Sequence, residues 1–281
     1  MTDVYLNGTF LPLCEAHLSP LDRGFLFGDG AYEVIPAFAG KPVATRLHLQ
    51  RLANSLAALR IDMPLSPSQW QDIIERLLAA HGAEDVAIYL HVSRGVDSRR
   101  YHGFSNQLTP TVFAMTYALP PRLAEGQGLR VITEQDQRWR HCHIKSTSLL
   151  GHVLHFQHGK DQHADEVLLF NQQDELTEAA ACNAFVVIKD EIWTPALDQQ
   201  KLAGITRQVL IDCVRKDGVF TVREGTITRQ QVMEANEVWL TSSTRNVQPV
   251  ISIDDQPVND GQVGDIWRVV SSLFEQHKFS Y

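Results

Sequence analysis

The 281-residue chain has few cysteines, no long apolar run and no excess of basic residues. Its four cysteines (Cys14, Cys142, Cys182 and Cys213) stand far apart and lack the spacing of metal ligands, which predicts reduced thiols and no metal site. No stretch approaches the roughly 18 consecutive apolar residues of a membrane span, so we expect none. The amino terminus has no basic region followed by an apolar one, and we expect no signal peptide.

The charge balance argues against a nucleic-acid partner. The chain carries 25 basic and 33 acidic residues, a formal net charge of −8, and no run of lysine and arginine. With 44% hydrophobic and 21% charged residues, the composition is typical of a soluble globular protein, and we expect a cytoplasmic one. The length suits two domains of ordinary size.

The order of helix and strand signals predicts an α+β (mixed α/β) protein of two domains. A segment rich in proline and glycine, residues 119–126, reads as the linker between an N-terminal α/β domain (1–118) and a C-terminal domain (127–281). Strand signals are dense in the second half, which favours a curved or barrel-like sheet over a doubly wound one. We predict strands over 32–38, 86–92, 111–118, 129–133, 166–170, 184–188, 191–194, 219–222, 238–241 and 250–253.

Several local signals predict the ends of elements. Asn7-Gly8 is typical of a two-residue hairpin turn. Ser66 and Gln69 form a capping box that starts a helix, which Gly82 is expected to end. The glycine-rich stretch 23–30 is predicted as a loop. Further helices are predicted over about 47–59 (with Arg51 beside the apolar stripe), after Lys145, over 206–214, from Thr228 and from Ile266.

Lys145 stands alone among small hydroxyl residues, just before an apolar run with helical spacing. No other lysine lies between Lys41 and Lys145. Semi-apolar surroundings lower the pKa of a lysine in general, and the neutral amine can then act as a nucleophile and proton carrier in Schiff-base chemistry. The alternative is a solvated lysine at the start of a helix. A cofactor held by Lys145 would also need a phosphate site, a partner for a ring nitrogen and a clamp for a substrate carboxylate.

Each of these three features has candidates. For phosphate, Leu202-Ala203-Gly204-Ile205-Thr206-Arg207 opens a helix, Thr241-Ser242-Ser243-Thr244 follows a strand, and Arg51 could supply a guanidinium. For the ring nitrogen, Glu178 precedes a run of small residues that a flat ring could approach. The alternatives are capped element ends, a surface arginine and a solvent-facing glutamate at a strand end.

For the carboxylate clamp, Arg100 and His102 flank Tyr101 on a loop between strands. Residues two apart point to the same side of an extended segment, so both could face one oxyanion, and Tyr32 could add a phenol. The alternative is an exposed basic loop.

Three motifs together resemble those of class IV pyridoxal-phosphate transaminases, specifically the D-amino-acid aminotransferases. Asp22-Arg23-Gly24-Phe25-Leu26-Phe27-Gly28-Asp29-Gly30-Ala31-Tyr32-Glu33-Val34 resembles the amino-terminal signature of this family. Arg138-Trp139 with Cys142-His143-Ile144-Lys145-Ser146 resembles its lysine motif, and residues 202–207 resemble its phosphate helix. The resemblance runs over nearly the whole chain.

The resemblance implies a fold type IV enzyme with a small N-terminal domain and a strand-rich pseudo-barrel that binds pyridoxal 5'-phosphate. It implies that Lys145 forms the Schiff base with the cofactor and shuttles the substrate proton, while Glu178 binds the pyridine nitrogen. The matching phosphate-binding positions are Arg51, Ile205, Thr206 and Ser243, with Ser242 kept beside them as a candidate, and Leu202 matches the residue packed on the ring.

The resemblance also implies that Tyr32, Arg100 and His102 form the trap for the substrate α-carboxylate. In the family the arginine and histidine come from the neighbouring subunit, so a homodimer is implied. Two departures stand out: Ala179-Ala180-Ala181-Cys182 replaces the serines common in the family, and the trap loop is one residue longer. The second departure leaves open whether Arg99 or Arg100 faces the substrate.

The sequence therefore predicts transamination between a D-amino acid such as D-alanine and a 2-oxo acid such as 2-oxoglutarate or pyruvate. Other chemistries on the same fold stay open: a 4-amino-4-deoxychorismate lyase, a branched-chain aminotransferase or an (R)-selective amine transaminase. A non-catalytic protein that stores the cofactor is a second alternative. We expect no nucleic-acid or membrane partner.

Overall fold

A computed structural model describes residues 3–82, 84–105, 107–121, 123–124 and 126–281. Arg122 and Glu125 of the predicted linker lie outside these residues. By their contacts the residues divide into two units, the first made of Met1–Leu119, Ile144–Leu149 and Tyr281, the second of Pro120–His143 and Leu150–Ser280. The short segment that carries Lys145 thus belongs to the first unit, while the domain limits drawn from the sequence stay a prediction.

The first unit contains a six-stranded antiparallel sheet and three helices. Its strands are β1 (Asp3–Leu6), β2 (Thr9–Pro12), β3 (Gly30–Phe38), β4 (Lys41–Pro42), β5 (Val86–Ser93) and β6 (Thr111–Ala118), in the order β2-β1-β6-β5-β3-β4. Its helices are α1 (Arg23–Phe27), α2 (Thr45–Leu59) and α3 (Pro67–Ala79), and a 3-10 turn covers Leu13–Glu15.

Helices α2 and α3 cover one face of this sheet. Leu52 and Leu56 from α2 and Trp70 from α3 pack with Ile35 of β3 and Ile88 of β5, and all five are almost fully buried. Because side chains alternate across a strand, the residues between these core positions point to the opposite face of the sheet. That opposite face therefore carries Tyr32 and its neighbours.

Local signals predicted several elements of this unit correctly. The two-residue turn at Asn7-Gly8 joins β1 to β2, with φ of 46° and 97°. Both halves of the capping box at Ser66 are formed, although α3 ends at Ala79, before Gly82. The loop expected over 23–30 is wrong in part, because Asp22 caps a short helix and accepts a hydrogen bond from the Gly24 N–H.

The second unit contains a nine-stranded sheet and four helices. Its strands are β7 (Leu129–Gln135), β8 (Glu166–Phe170), β9 (Leu176–Ala179), β10 (Asn183–Ile188), β11 (Glu191–Pro195), β12 (Val222–Gly225), β13 (Glu237–Ser242), β14 (Asn246–Ile253) and β15 (Gln256–Pro257). Its helices are α4 (Leu150–Asp161), α5 (Ile205–Asp217), α6 (Arg229–Met233) and α7 (Asp265–His277), with 3-10 turns at Asn259–Gly261 and Lys278–Ser280.

The strand order β12-β11-β10-β13-β14-β7-β8-β9 makes this sheet curl. Strand β9 is the last strand of the order, yet a tight turn joins it to β10, third from the other end. In that turn the Ala179 N–H donates to the Cys182 carbonyl over 2.7 Å. The predicted mixed α/β class with a curved sheet is confirmed.

One strand prediction in this unit was wrong, and one strand was missed. Strand β12 lies over Val222–Gly225 and not over 219–222, and β9 has no counterpart among the predicted strands. Strand β9 is too short for an alternating pattern, and all four of its side chains are buried. Among the described residues, no helix has the length and apolar character needed to cross a membrane, and no group of three or more His, Cys, Asp or Glu could hold a metal ion.

Candidate active site

The Lys145 segment runs along the edge of β3 in the first unit. The Tyr32 N–H donates to the Lys145 carbonyl over 3.1 Å, and the Thr147 N–H donates to the Gly30 carbonyl over 2.9 Å. On the other side, the Lys145 N–H donates to the buried Ser55 hydroxyl of α2 over 3.1 Å. The backbone of Lys145 is therefore held by a strand and a helix, as a rigid reactive group requires.

The side chain of Lys145 lies over an aromatic ring. Its Nζ is 4.2 Å from the centroid of the Tyr32 ring. Among the described residues its amine takes part in none of the ion pairs. The half-buried amine is thus not neutralised by a carboxylate of the same chain, which suits a nucleophile.

Next to this segment lies a buried ionic cluster formed by Glu33, His48 and Arg51. The Glu33 carboxylate accepts Arg51 Nε over 2.7 Å and Arg51 Nη2 over 2.9 Å. His48 Nδ1 lies 2.7 Å from the same carboxylate, and the Val34 N–H adds a fourth contact at 3.3 Å. Four groups therefore face the roughly four acceptor positions of this carboxylate.

This cluster fixes the charge state of its members. Burial alone would raise the pKa of Glu33, but Arg51 and His48 outweigh it and hold the pKa well below its usual range. Burial lowers the pKa of His48, and the nearby Lys145 and Arg51 charges act in the same direction.

The cluster also corrects the predicted position of Arg51. Arg51 is on the buried side of α2 with Leu52 and Leu56, not beside the apolar stripe, because Glu33 compensates its charge. Its contacts with Glu33 run through Nε and Nη2, and they fix the orientation of the whole guanidinium.

The predicted carboxylate trap lies on an exposed loop of the first unit. The Arg100 guanidinium is 5.3 Å from the centroid of the Phe27 ring, and the His102 ring is 5.4 Å from the same ring. Arg99 lies instead over Tyr101, at 4.9 Å. The structure brings Arg100 and His102 together on one aromatic residue, whereas Arg99 contacts a different one.

Arg23, almost fully buried, holds this loop in place. Its guanidinium donates to the carbonyls of Tyr101 over 2.6 Å and of His102 and Gly103 over 3.1 Å each. It also pairs with Asp29 at 2.9 Å. A single side chain therefore orders three consecutive residues of a loop that has no regular structure.

In the second unit, Glu178 is a buried carboxylate on β9 with three donors around it. Arg138 Nη1 donates to Oε1, while the Leu202 N–H donates to Oε2 over 2.9 Å and Asn183 Nδ2 donates to it over 3.2 Å. A carboxylate has about four acceptor positions, so one position of Glu178 is unused within the described part of the chain. A ring N–H would fit that position.

Arg138 is shared between two carboxylates. Besides Glu178 it binds Asp136 in a forked pair, with Nε at 3.0 Å and Nη2 at 2.7 Å from the two oxygens. Burial raises the pKa of Glu178, while Arg138 and the Leu202 N–H oppose that rise. Burial would lower the pKa of Arg138, but the two carboxylates outweigh it and raise the pKa, so the guanidinium is charged.

Asn183 joins Glu178 to the start of α5. Its amide donates to the Leu202 carbonyl over 2.8 Å as well as to Glu178. A Cβ at Gly204, the N-cap of α5, would lie 1.9 Å from the Asn183 side-chain oxygen, so a larger residue there would displace the Asn183 side chain. Ile205 and Thr206, the first residues of α5, directly follow Gly204.

The start of α5 differs from that of α7. At α7 the Glu237 carboxylate accepts the N–H groups of Ile266 and Trp267 over 2.9 and 2.8 Å. At α5 the N-cap is Gly204, and within the described part of the chain no side-chain cap accepts a hydrogen bond from the first turn. The first amides of α5 are thus available to an anion, which the helix dipole also favours.

Among the described residues, three buried polar atoms at the end of β13 and in the turn that follows it have no hydrogen-bond partner. These are Thr241 Oγ1, Ser242 Oγ and Arg245 Nη1. Buried polar groups in native proteins are nearly always satisfied, so this turn fits an oxygen-rich ligand. Ser243, next along the turn, is half-buried. Together with the open start of α5, these residues fit a cofactor with an N–H ring and a phosphate.

Sequence reasoning missed several residues that hold these sites together. Glu33 and His48 orient Arg51, Arg23 orders the trap loop, and Asn183 and Asp136 flank the Glu178 pair. Arg23, Glu33 and Arg138 were part of the quoted motifs but had no role assigned to them. The only signal for these residues was a charged residue within a mostly apolar helix stripe. Such a residue indicates that an ionic partner exists but does not identify that partner.

Comparisons with known proteins agree with the geometry. A protein-family model described as "Amino-transferase class IV" matches residues 30–253. The chain is 32% identical over 279 residues to a D-alanine aminotransferase of Staphylococcus haemolyticus, covering 99% of this chain and 98% of the relative. It is 34% identical over 274 residues to the D-alanine aminotransferase of Listeria monocytogenes serotype 1/2a (strain 10403S), covering 96% and 94%.

Solved structures share the fold at lower identity. A branched-chain aminotransferase from Thermoproteus uzoniensis with norvaline superposes with a TM-score of 0.87 at 21% identity, covering 99% of this chain and 95% of the other. A hypothetical aminotransferase from Mycobacterium tuberculosis in its PLP-bound form gives a TM-score of 0.86 at 20% identity, covering 99% of both chains. At these identities the likeness concerns the fold alone.

Proposed function

This chain belongs to the class IV aminotransferase family, and we propose that it transfers the amino group between a D-amino acid such as D-alanine and a 2-oxo acid, with pyridoxal 5'-phosphate as cofactor. The full-length similarity to D-alanine aminotransferases supports the substrate class. The observation that carries the chemistry is Glu178, a buried carboxylate with one unused acceptor position and a charged arginine at its side. We propose the cytoplasm as its location.

We assign the cofactor contacts residue by residue. Lys145 holds the cofactor covalently, Glu178 accepts the ring N–H, and Leu202 packs on the ring. The proposed phosphate ligands come from the first amides of α5, from the end of β13 with the turn after it, and from α2: Ile205, Thr206, Ser242, Ser243 and Arg51. When bound, the cofactor withdraws electrons from the substrate α-carbon, which makes its proton removable.

The residues of this chain then manage the proton and the charge. The Lys145 amine takes the proton from the substrate α-carbon and then donates it to the cofactor carbon. Glu178 keeps the ring nitrogen protonated, and Arg138 keeps Glu178 anionic. The hydroxyls of Ser242 and Thr241 find their missing partners when an oxygen-rich ligand is present.

We propose that Tyr32, Arg100 and His102 trap the α-carboxylate and that the protein acts as a homodimer. Among the described residues neither Arg100 nor His102 contacts Tyr32 or Lys145 of the same chain, and both side chains are exposed. Helix α4 exposes Leu150, Val153 and Leu154 by 71, 56 and 62%, an apolar face that a second copy would cover. A mass measurement in solution tests the dimer, and Leu154→Glu should weaken it.

The trap also separates the proposal from its rivals. A lyase, a branched-chain aminotransferase or an (R)-selective amine transaminase would share Lys145 and Glu178 but would not need Arg100 and His102 as an α-carboxylate trap. Fold likeness to branched-chain enzymes does not decide between these chemistries.

The test is the visible absorbance of the cofactor-loaded protein, recorded before and after D-alanine or L-alanine is added. We expect the band to collapse with D-alanine only and pyruvate to appear in equal amount. A band that ignores D-alanine would contradict the proposal. Arg100→Ala should raise the apparent KM for D-alanine about 10-fold or more, whereas Arg99→Ala, the matched control, should change it less than about 3-fold.

A further inference from the structure

A cavity of about 520 Å³ is bordered by helices α2 and α3 of the first unit. From α2 it is lined by Arg46, Leu49 and Ala53, and from α3 by Pro67 and Trp70. Within each helix these residues are three or four positions apart, so one face of each helix borders the cavity. All of its lining residues belong to the first unit, and its volume is in the range of small-molecule sites, about 300–1,000 Å³.

The lining of this cavity is mainly apolar and contains one charge. Leu49 and Met63 line it while they pack, half-buried, against the core between the sheet and the helices. Among the described residues that line it, Arg46 is the only one with a charged side chain, and Arg46 takes part in none of the ion pairs. A ligand with an apolar body and one negative charge therefore matches this lining.

The lining also includes a buried donor that has no acceptor. The Trp70 side chain is fully buried, and among the described residues its Nε1 has no hydrogen-bond partner. A buried indole N–H in a native protein usually finds a partner. Because Trp70 lines the cavity, an oxygen atom of a ligand in the cavity would supply the missing acceptor.

The first turn of α2, which borders the cavity, also favours an anion. The N-cap residue Ala44 provides no side-chain acceptor, and the first turn contains no acidic residue. The start of α3 differs, because Ser66 and Gln69 close it with a capping box. Arg46 lies in the first turn of α2, where the helix dipole disfavours a cation. A carboxylate beside Arg46 would offset that repulsion and would itself interact favourably with the dipole.

We propose that this cavity is a second binding site, which takes a small carboxylic acid with an apolar aliphatic or aromatic body. The carboxylate pairs with Arg46 at the start of α2 and accepts the Trp70 N–H. The apolar body leaves water for the surface formed by Leu49, Ala53 and Met63, which is the main source of its affinity.

The proposed site is separate from the residues assigned to the cofactor. Arg51 and Ser55 follow Leu49 and Ala53 by two positions, and each residue of a helix advances by about 100°. Arg51 and Ser55 therefore lie on the opposite side of α2, towards Glu33 and Lys145. The inference thus does not depend on the proposed transamination.

The experiment titrates the cofactor-loaded protein with 4-phenylbutyrate in a calorimeter, with 4-phenylbutanol as the uncharged match. We expect 4-phenylbutyrate to bind with a Kd below about 1 mM and 4-phenylbutanol to bind about 10-fold more weakly or less. In the nitrogen-15 spectrum the indole signal of Trp70, identified by its loss in Trp70→Phe, should move as 4-phenylbutyrate binds. No saturable binding, equal affinity for the two probes, or a Trp70 signal that stays in place overturns the inference.

Two variants distinguish this cavity from any other place where the probe could bind. Arg46→Gln should raise the Kd for 4-phenylbutyrate about 10-fold or more, whereas Arg268→Gln, the same change at an exposed residue of α7, should leave it within about 2-fold. Ala53→Phe fills the cavity and should abolish binding, and Ala53→Leu makes the same test if Ala53→Phe does not fold. Unchanged binding in the folded variants contradicts the inference, and leaves the proposed reaction with D-alanine untouched.

Discussion

The two units each contain a buried glutamate paired with a buried arginine, and the two pairs differ in what they leave unused. The Glu33 carboxylate of the first unit faces four groups: Nε and Nη2 of Arg51, Nδ1 of His48 and the Val34 N–H. Glu178 of the second unit faces three donors, and its arginine also serves Asp136. The pKa of Glu33 is held well below its usual range, whereas burial raises that of Glu178.

This difference separates a positioning carboxylate from a reacting one. A saturated carboxylate has no position left for a ligand, and its pairing fixes the arginine beside it. A carboxylate that has one acceptor position unused, and that shares its arginine with a second carboxylate, can accept one more hydrogen bond without a change of fold. Burial and an arginine partner therefore do not identify the functional glutamate, but a count of its donors does.

The largest expected effect is on turnover and belongs to Glu178. Glu178→Gln should lower kcat about 1000-fold, because a neutral amide cannot hold the proton of a ring nitrogen. Steady-state kinetics of the cofactor-loaded variant measure kcat. Glu234→Gln, a change at an exposed residue directly after α6, is the control. A kcat within about 10-fold of the parent would show that Glu178 is not the reacting carboxylate.

The second effect is on stability and belongs to Glu33. Glu33→Gln should lower the free energy of unfolding by about 3 kcal/mol, because a buried cluster with two nitrogens of Arg51 loses its anion. Glu178→Gln should lower the free energy of unfolding by less, because Arg138 still pairs with the Asp136 carboxylate. Urea unfolding of both variants without cofactor measures the difference, and a larger loss for Glu178→Gln would reverse the assignment of roles.

The third effect is the pH dependence of that stability. The folded-state pKa of Glu33 is lowered, so its stabilisation is present above the unfolded pKa of about 4.3 and is lost as the pH falls below it. The difference in unfolding free energy between the parent and Glu33→Gln should therefore narrow by about 2 kcal/mol between about pH 7 and pH 3. A difference that stays constant over this range would mean that Glu33 is not held anionic.

The smallest expected effect belongs to Asp136, the second carboxylate that binds Arg138. Asp136→Asn leaves Arg138 to Glu178 alone and removes a nearby negative charge, so the pKa of Glu178 should fall toward the behaviour of Glu33. We expect kcat to change by about 3-fold and the acid limb of its pH profile to move to lower pH. A shift of the acid limb to higher pH would contradict the sharing of Arg138 between Asp136 and Glu178. Asp161→Asn, a change at an exposed residue, is the control.

The sequence predicted what short-range signals determine. The Asn7-Gly8 turn, the Ser66 capping box and the helix start after Gly204 depend on residues within a few positions of one another. Spacing also allowed Lys145 and Glu178 to be chosen as candidates, and the motifs assigned them roles.

The pairings that distinguish the two glutamates could not be predicted in this way. Arg51 is 18 residues from Glu33, Arg138 is 40 from Glu178, and Arg23 is about 80 from the loop that it holds. Such contacts exist only once sheets and helices have packed, and a sequence pattern with a period of two or 3.6 residues carries no trace of them. Strand β9 was missed for the same reason, since its burial comes from the curl of the sheet.

If the unused acceptor position of Glu178 binds a ring N–H, the ring nitrogen of the bound cofactor must be protonated. The measurement is the nitrogen-15 chemical shift of labelled pyridoxal 5'-phosphate bound to the protein, compared between the parent and Glu178→Gln. We expect a protonated ring nitrogen in the parent and an unprotonated one in the variant. An unprotonated nitrogen in the parent, or a protonated one in both proteins, would contradict it.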